Sequence, residues 1–445
     1  MKHQTDIFPL PLSDFEYYAV RDETPDYPMV TILRIHLAGN IHEEHFTAAL
    51  RTALQQNPLL QSQLRESDGQ LQWQFIADAP LPMQVIQVHR EDPSEDCQQR
   101  AIDLRRECGA YFELRRSDQR STLICHFHHA CVDGLGAIRF LADWLAEYGC
   151  ATSDDDSGRP TRRRINHQAL LARGVIPAIS RAGGRQVSWT EWLKGPLRFL
   201  TGRVYSIPRL SAQPLSNRPA ASILNTRVLS KPVVRALKRL AGSEGISTND
   251  LCMMVYVQQI NRWTVSDPRA RSNDLFRILM PISTRTADHD DISAANMISY
   301  VFQPILRRQC TDPTALARAI HNKSAQMLHD NESAVVLKLF SLLRRVPALF
   351  RVSRRLQSTF ATAVLANVGE LKRVFGNRFP LHRGKVVAGN VLVDRIDGIA
   401  PLRKNTNIVI SFGSYAGELI LNLRANPDIM TPDESNRFLD HVVQH

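Results

Sequence analysis

His128 and His129 are followed by Ala130, Cys131, Val132, Asp133 and Gly134, which gives the pattern His-His-x-x-x-Asp-Gly. An imidazole titrates at about 6.5, so at neutral pH it is mostly unprotonated and can take a proton from a hydroxyl or an amine. A general base must also be held still, and the end of a buried strand does that. Ser121 to Phe127 reads as such a strand, with Leu123, Cys125 and Phe127 on one face and Thr122, Ile124 and His126 on the other. Leu135 to Tyr148 reads as the helix that follows, with Ile138, Leu141, Ala142 and Leu145 at helical spacing. Asp133, four residues past His129, can anchor the intervening turn, and Gly134 permits backbone conformations that other residues resist. His129 is thus the candidate base.

Other chemistry for the same residues has to be weighed. Paired histidines at a strand end can be hydrogen-bonded core groups and nothing more. His126, His128, His129 and Asp133 are all competent metal ligands. Successive strand residues point to opposite faces, however, so His126 would pair with His128 and leave His129 out. Neither Cys-x-x-Cys nor His-x-x-x-His accompanies them, and the expectation is no metal. A covalent role for Cys131 would need a partner and a lowered pKa, which the sequence does not supply.

With 445 residues, 43% hydrophobic and 22% charged, the chain can bury two cores and is not a disordered protein. Its seven cysteines are odd in number and scattered, which suits a reducing compartment better than a disulfide framework. The N-terminus opens no apolar signal region, and no run of about 18 uncharged apolar residues occurs. The expected location is cytoplasmic, with peripheral membrane contact left open. The formal net charge of +11 does not select nucleic acid, because the basic residues are spread thinly and few aromatics are interleaved. Coenzyme A phosphates, an acidic carrier protein or an anionic membrane suit such a surface equally.

Two halves joined by a crossover describe the organisation: residues 1–150, a linker over 151–222, and residues 223–445. In the first half, Met29 to Leu37, Leu71 to Ile76 and Met83 to Val88 are strand-like, while a helix runs from Glu43 to Pro58 and another over Glu95 to Glu107. In the linker, Asp154 to Asp156 and the basic run Arg159 to Arg164 read as solvated loop, with phosphate binding as the alternative; Trp189 to Leu200 reads as a short amphipathic helix. In the second half, helices are expected over Pro232 to Ala241, from Ser247-Thr248-Asn249 to Trp263, after Asp312-Pro313, and after Thr431-Pro432-Asp433-Glu434. Leu275 to Pro281, Met297 to Leu306, Val386 to Val393, Asn407 to Phe412 and Glu418 to Leu423 read as strands. Ala334 to Phe350, followed by Arg351, Arg354 and Arg355, fits a core-facing helix, the preferred reading, or a basic amphipathic helix at a lipid surface.

Taken in order, these motifs resemble the chloramphenicol-acetyltransferase-like acyltransferase superfamily, which includes condensation domains, plant acyl-CoA:alcohol acyltransferases and wax ester synthase/diacylglycerol acyltransferases. Similarity is greatest to the last group. Its Asn-Asp motif matches Asn249-Asp250 within Ser247 to Leu251, and its Pro-x-x-x-Arg with a downstream Asn matches Pro281 to Arg285 with Asn296. Phe8 to Asp14, Asn57 to Leu60 and Ser414 to Leu419 also look familial, so the resemblance spans nearly the whole chain. Two departures occur. Ala366-Asn367-Val368-Gly369-Glu370 stands where that group carries an Asn-Val-Pro-Gly-Pro-like turn, and Asn57 and Gln61 stand where an Arg or His often flanks the Pro-Leu-Leu segment. They make storage-lipid synthesis a weak choice of substrate.

The resemblance implies an α/β (α+β) protein of two chloramphenicol-acetyltransferase-like lobes, each a mixed sheet flanked by helices, with an active-site tunnel between them. His129 would be the general base, and His128, Asp133, Gly134 and Arg285 would support it, Asp133 pairing with Arg285 across the lobes. Asn367 and Ser411 would be candidate oxyanion or substrate contacts, although turn formation and strand-end bonding fit them as well. Asn249 and Asp250 would be structural, as a helix cap. The implied reaction moves an acyl group from a coenzyme A or phosphopantetheine thioester to an alcohol or amine, with no bound cofactor. A free-standing condensation-type enzyme fed by an acyl carrier protein is the alternative, as is a non-catalytic homologue that binds an acyl ligand or a partner protein.

Overall fold

The computed structural model describes residues 6–88, 100–117, 119–153, 158–174, 203–208, 223–346, 348, 350–351 and 360–444. Two mixed sheets flanked by helices form the body of the protein, together with a small three-stranded sheet. In spatial order the first sheet runs Leu381–His382, Lys385–Ala388, Val391–Ile399, Val30–Ala38, Arg120–His128, Ala110–Arg116 and Met83–Gln87. Arg120–His128 lies between two antiparallel neighbours, with Val30 opposite His128 and Ala110 opposite Phe127. Its Phe127 and Phe112 of the adjacent strand pack against Phe140 of the helix Gly134–Thr152, at centroid distances of 5.8 and 5.6 Å. That helix is buried along most of its length. Trp144 packs on Phe46 of the helix Glu43–Gln56 and donates its indole N–H to the Phe46 carbonyl at 2.9 Å.

The second sheet runs Ile298–Leu306, Leu275–Ser283, Ala363–Glu370, Ile408–Tyr415, Glu418–Ala425 and Ile223–Leu229. Ala363–Glu370 is parallel to both of its neighbours, and its ladder is interrupted between Asn367 and Gly369. The helices Thr248–Trp263 and Pro432–Gln444 are capped as their sequences required, the first by Ser247 with Asp250 and the second by Thr431 with Glu434.

Several expectations are corrected. Residues 381–399, assigned to the C-terminal half, extend the first sheet: Ile399, Asp397 and Arg395 lie opposite Ile32, Arg34 and His36. Buried Asp397 is surrounded there by Arg34, His36 and Arg395, which outweigh the upward push of its burial and hold its carboxyl below the usual range. Val386 to Val393 is two strands, because the chain reverses at Gly389, whose φ is +60° and where a Cβ would strike the Thr152 hydroxyl. Of the expected helix over Glu95 to Glu107, the described part, 100–107, is irregular with a turn at 104–106. The Asp103 carboxylate takes the Arg105 N–H and the Glu107 carboxylate takes the Asp103 N–H, local bonds that compete with a helical ladder.

The basic run of the linker is not simply solvated. Arg163 binds buried Asp143 through two nitrogens, each at 2.9 Å, and Arg162 binds Glu147, so the run is clamped onto the helix Gly134–Thr152. Further on, Arg173 forms a buried pair with Glu16 at 2.7 Å. The expected helix over Trp189 to Leu200 lies outside the described residues, as does Asp154 to Asp156. Glu332–Arg345 faces the core, with Phe340 stacked on Tyr18 at 4.2 Å. Among the described residues no helix is long and apolar enough to cross a membrane.

Candidate active site

His129 follows the last residue of its strand, and three backbone contacts hold it there. Its N–H donates to the Met29 carbonyl at 2.7 Å, its own carbonyl accepts from the Asn296 side chain, and its Nδ1 lies 3.2 Å from the Val132 carbonyl. A carbonyl can only accept, so the proton sits on Nδ1 and the lone pair is left on Nε2. Phe15 packs edge-on against the ring at 5.9 Å. Burial lowers the pKa of His129, and the nearby Val132 carbonyl and Asp133 carboxylate oppose this only in part. The ring is therefore neutral at pH 7, as a base must be.

His128 holds the opposite tautomer. Its Nδ1 accepts the Ala130 N–H at 3.1 Å, so Nε2–H donates to Glu23 at 3.1 Å. The other oxygen of Glu23 accepts the Met29 N–H at 3.1 Å, and Met29 in turn holds His129. Glu23 thus ties both histidines to the strand Val30–Ala38. Sequence reading missed it, and only its position just before that strand could have suggested it.

Asp133 caps the helix Gly134–Thr152 by accepting the Gly136 N–H at 2.8 Å. Its other oxygen accepts from Arg285 Nη1 and the Met297 N–H, both at 2.7 Å. Arg285 also donates to the Ala295 carbonyl at 2.9 Å, and both charged side chains are buried. With three hydrogen bonds from the protein on its carboxylate, Asp133 positions the loop 294–297 that carries Asn296. Gly134 does not take a left-handed φ, so the conformational freedom expected of it is not used; it lines the cavity, and a Cβ there would lie 3.6 Å from Val368. The glycine this geometry demands is Gly136, where a Cβ would sit 2.6 Å from Val132, 2.7 Å from the Ala295 carbonyl and 3.2 Å from Arg285 Nη2. Gly136→Ala is expected to lose roughly 1–3 kcal/mol through overpacking; thermal unfolding checks this, and an unchanged midpoint contradicts it.

A cavity with about 890 Å³ of non-protein space, its open mouth included, lies between the sheets. His129, Gly134, Leu135 and Ile138 approach from the first lobe, and Pro281, Ser283, Asn367, Ser411 and Asn422 from the second. Ser411 is buried and accepts the Ala400 N–H at 3.3 Å, so its own hydroxyl proton can point elsewhere. Asn367 is exposed; its oxygen accepts from Gly369 at 2.8 Å and its amide donates to Asn249 at 3.1 Å. Asp250 binds Ser247, His321 and Ser324, a structural network away from the cavity. Asn57 and Gln61, the second of the departures noted above, bond backbone: Asn57 accepts the Ala294 N–H at 2.6 Å, and Gln61 donates to the Ile76 and Ala77 carbonyls. Burial pushes the Cys131 thiol well up, which keeps it protonated.

No protein-family profile matches the chain. Of solved structures, the first condensation domain of the calcium-dependent antibiotic synthetase, in complex with a substrate analogue, superposes with a TM-score of 0.69 over 98% of this chain and 94% of that one, at 14% identity. The protein has the condensation-domain fold. The starter condensation domain of rhizomide synthetase, in complex with C8-CoA and Leu-SNAC, gives 0.67 over 98% and 93% at 14% identity. Polyketide synthase associated protein 5 from Mycobacterium tuberculosis superposes with a TM-score of 0.63, over 98% of this chain and 96% of that one, at 17% identity. Among curated sequences, the uncharacterized protein Rv2305 of M. tuberculosis is 22% identical over 355 residues, 78% of each chain.

One histidine of the strand carries a stability consequence. His126 is buried, and burial together with the charges of Arg100, Arg424 and Arg115 pushes its pKa down to about 4. The unfolded chain takes up this proton at about 6.5, so stability falls as the pH drops from there to about 4, by up to roughly 3 kcal/mol. Urea unfolding at pH 7.5 and 4.5 should show that loss, and His126→Leu should remove this part of it. An identical pH dependence in the variant contradicts the assignment.

Proposed function

We propose that the protein is an acyltransferase that moves an acyl group from a thioester to a hydroxyl or amine acceptor, with His129 as general base. The observation that carries this is the tautomer. A neutral imidazole, its Nδ1–H held by Val132 and its Nε2 left with a lone pair, lines a cavity formed by residues of both lobes. Nε2 takes the acceptor proton as the oxygen or nitrogen bonds to the thioester carbonyl carbon. Charge collects on the carbonyl oxygen, the C–S bond then breaks, and the leaving thiolate takes the proton back from Nε2.

Ser411 is the better candidate donor to the developing oxyanion, since the Asn367 amide is engaged by Asn249. Asp133, Arg285, His128 and Glu23 are positioning residues. Alignment of the two substrates must supply much of the acceleration, because a base alone gives about 10² to 10⁴.

The donor is coenzyme A-bound or carrier-bound. The neighbour in complex with C8-CoA and Leu-SNAC supports an acyl-CoA donor for this fold. A direct competition separates the two: the same acyl group is offered on coenzyme A and on a phosphopantetheinylated carrier protein, and ester or amide product is measured. Product from coenzyme A alone removes the carrier-fed reading. Product from the carrier alone establishes it.

A further inference from the structure

Two hydrogen-bond donors that give their protons to no group among the described residues stand side by side in the cavity lined by His129. One is the Ser411 hydroxyl. The other is the side-chain amide of Asn422, directly opposite Ser411 on the neighbouring strand Glu418–Ala425. Residues paired in this way share a face of the sheet, with Cβ atoms about 4.5–5.5 Å apart. A relay from the first lobe sets which way the amide points. Arg34 Nη2 donates to the Thr226 hydroxyl at 2.7 Å, and that hydroxyl donates to Asn422 Oδ1 at 2.9 Å. A guanidinium can only donate, so the Thr226 proton goes to the amide oxygen and Nδ2 is turned away from Thr226. Only 3% of Asn422 is exposed, and its side chain lines the cavity. Ser411 is fixed as well: its oxygen accepts the Ala400 N–H at 3.3 Å, while Arg424, two residues beyond Asn422, donates to the Ala400 carbonyl at 3.2 Å.

We infer that the Asn422 amide donates, together with the Ser411 hydroxyl, to the carbonyl oxygen of the thioester, which makes Asn422 a catalytic residue. This rests on the acyl-transfer reading. The carbonyl oxygen gains negative charge as the acceptor bonds to its carbon, and its lone pairs can take both donors. Donors already held by the protein need no reorganisation as that charge develops. Ile399, Phe412 and Ile420 also line the cavity, and such apolar walls strengthen bonds to a charged oxygen. A buried amide N–H is costly while unpaired, and an incoming carbonyl oxygen removes that cost.

The test uses Asn422→Leu, which keeps the size but cannot hydrogen-bond, and Asn422→Asp, which keeps the acceptor for Thr226 but puts a negative charge where the donor was. In acyl transfer, kcat should fall about 10² to 10³-fold in Asn422→Leu and at least as far in Asn422→Asp, with KM held within about threefold. A residue that only braced Thr226 would tolerate the aspartate. Binding of S-trifluoroacetonyl-pantetheine, read by fluorine NMR, probes the same donors without turnover. Its hydrated ketone carries tetrahedral oxygens on the arm common to coenzyme A and a carrier protein. Its Kd should rise at least about tenfold in both variants, while the Kd of S-acetyl-pantetheine stays within about twofold of the wild-type value. Unchanged turnover in either variant, or equal binding of the ketone by all three proteins, overturns the inference. If the ketone separates the proteins while no acyl transfer is found, the donor pair stands and the catalytic reading falls. If transfer depends on His129 but not on Asn422, the catalytic reading stands and the inference falls.

Discussion

Asp133→Ala is expected to lose both stability and turnover. The substitution removes the cap of the helix Gly134–Thr152, the acceptor for the Met297 N–H and the counter-ion of Arg285 in one step. Arg285 keeps only the Ala295 carbonyl and is too buried to recover water. Breaking such a pair costs roughly 3–5 kcal/mol, because the remaining charge stays desolvated. Asp133→Asn should fall between the two proteins, since an amide oxygen can still accept the Gly136 N–H but does not neutralise a guanidinium. Turnover falls with stability because the loop 294–297 carries Asn296, which holds the His129 carbonyl. Urea unfolding and product formation, measured on all three proteins, check this. Normal stability with normal turnover in Asp133→Ala would contradict the role given to the pair.

His129→Ala is expected to separate chemistry from folding. The ring donates to one carbonyl and packs on Phe15, and its removal leaves the Met29 and Asn296 bonds to the backbone in place. Transfer should fall by about 10² to 10⁴ while the fold is retained. Because burial lowers the pKa of His129, its imidazole stays unprotonated below the ordinary histidine range. The acidic limb of the wild-type rate profile should therefore lie below pH 6.5, and a limb at or above that value would contradict the geometry.

Local signals carried much of this site. Strand alternation up to Phe127 and the apolar periodicity after Leu135 located the turn between them, and Asp133 four residues on from His129 could be read as its anchor. The Asp133–Arg285 contact is separated by 152 residues, and only the family resemblance suggested it. What stayed hidden depends on contacts without local periodicity. Glu23 looks like any surface carboxylate until the Met29 N–H and His128 converge on it. Gly136 reads as one more small helical residue until the Ala295 carbonyl closes over it. Strand Val391–Ile399 has the pattern of a buried strand whichever sheet it joins, so alternation could not reveal that it crosses to the first lobe. Arg162 and Arg163 read as a solvated run because charge patterning says nothing of Asp143 and Glu147, which meet them on another element.

Acceptor-dependent thiol release tests the central claim most directly. A panel of short- to long-chain acyl-CoAs would be incubated with mixed alcohols and amines, and wild-type protein compared with His129→Ala. The account predicts release that requires both donor and acceptor in the wild type and falls at least about 100-fold in the variant. Equal acceptor-dependent release from the two proteins would contradict it, because the neutral Nε2 of His129 would then have no part in removing the acceptor proton.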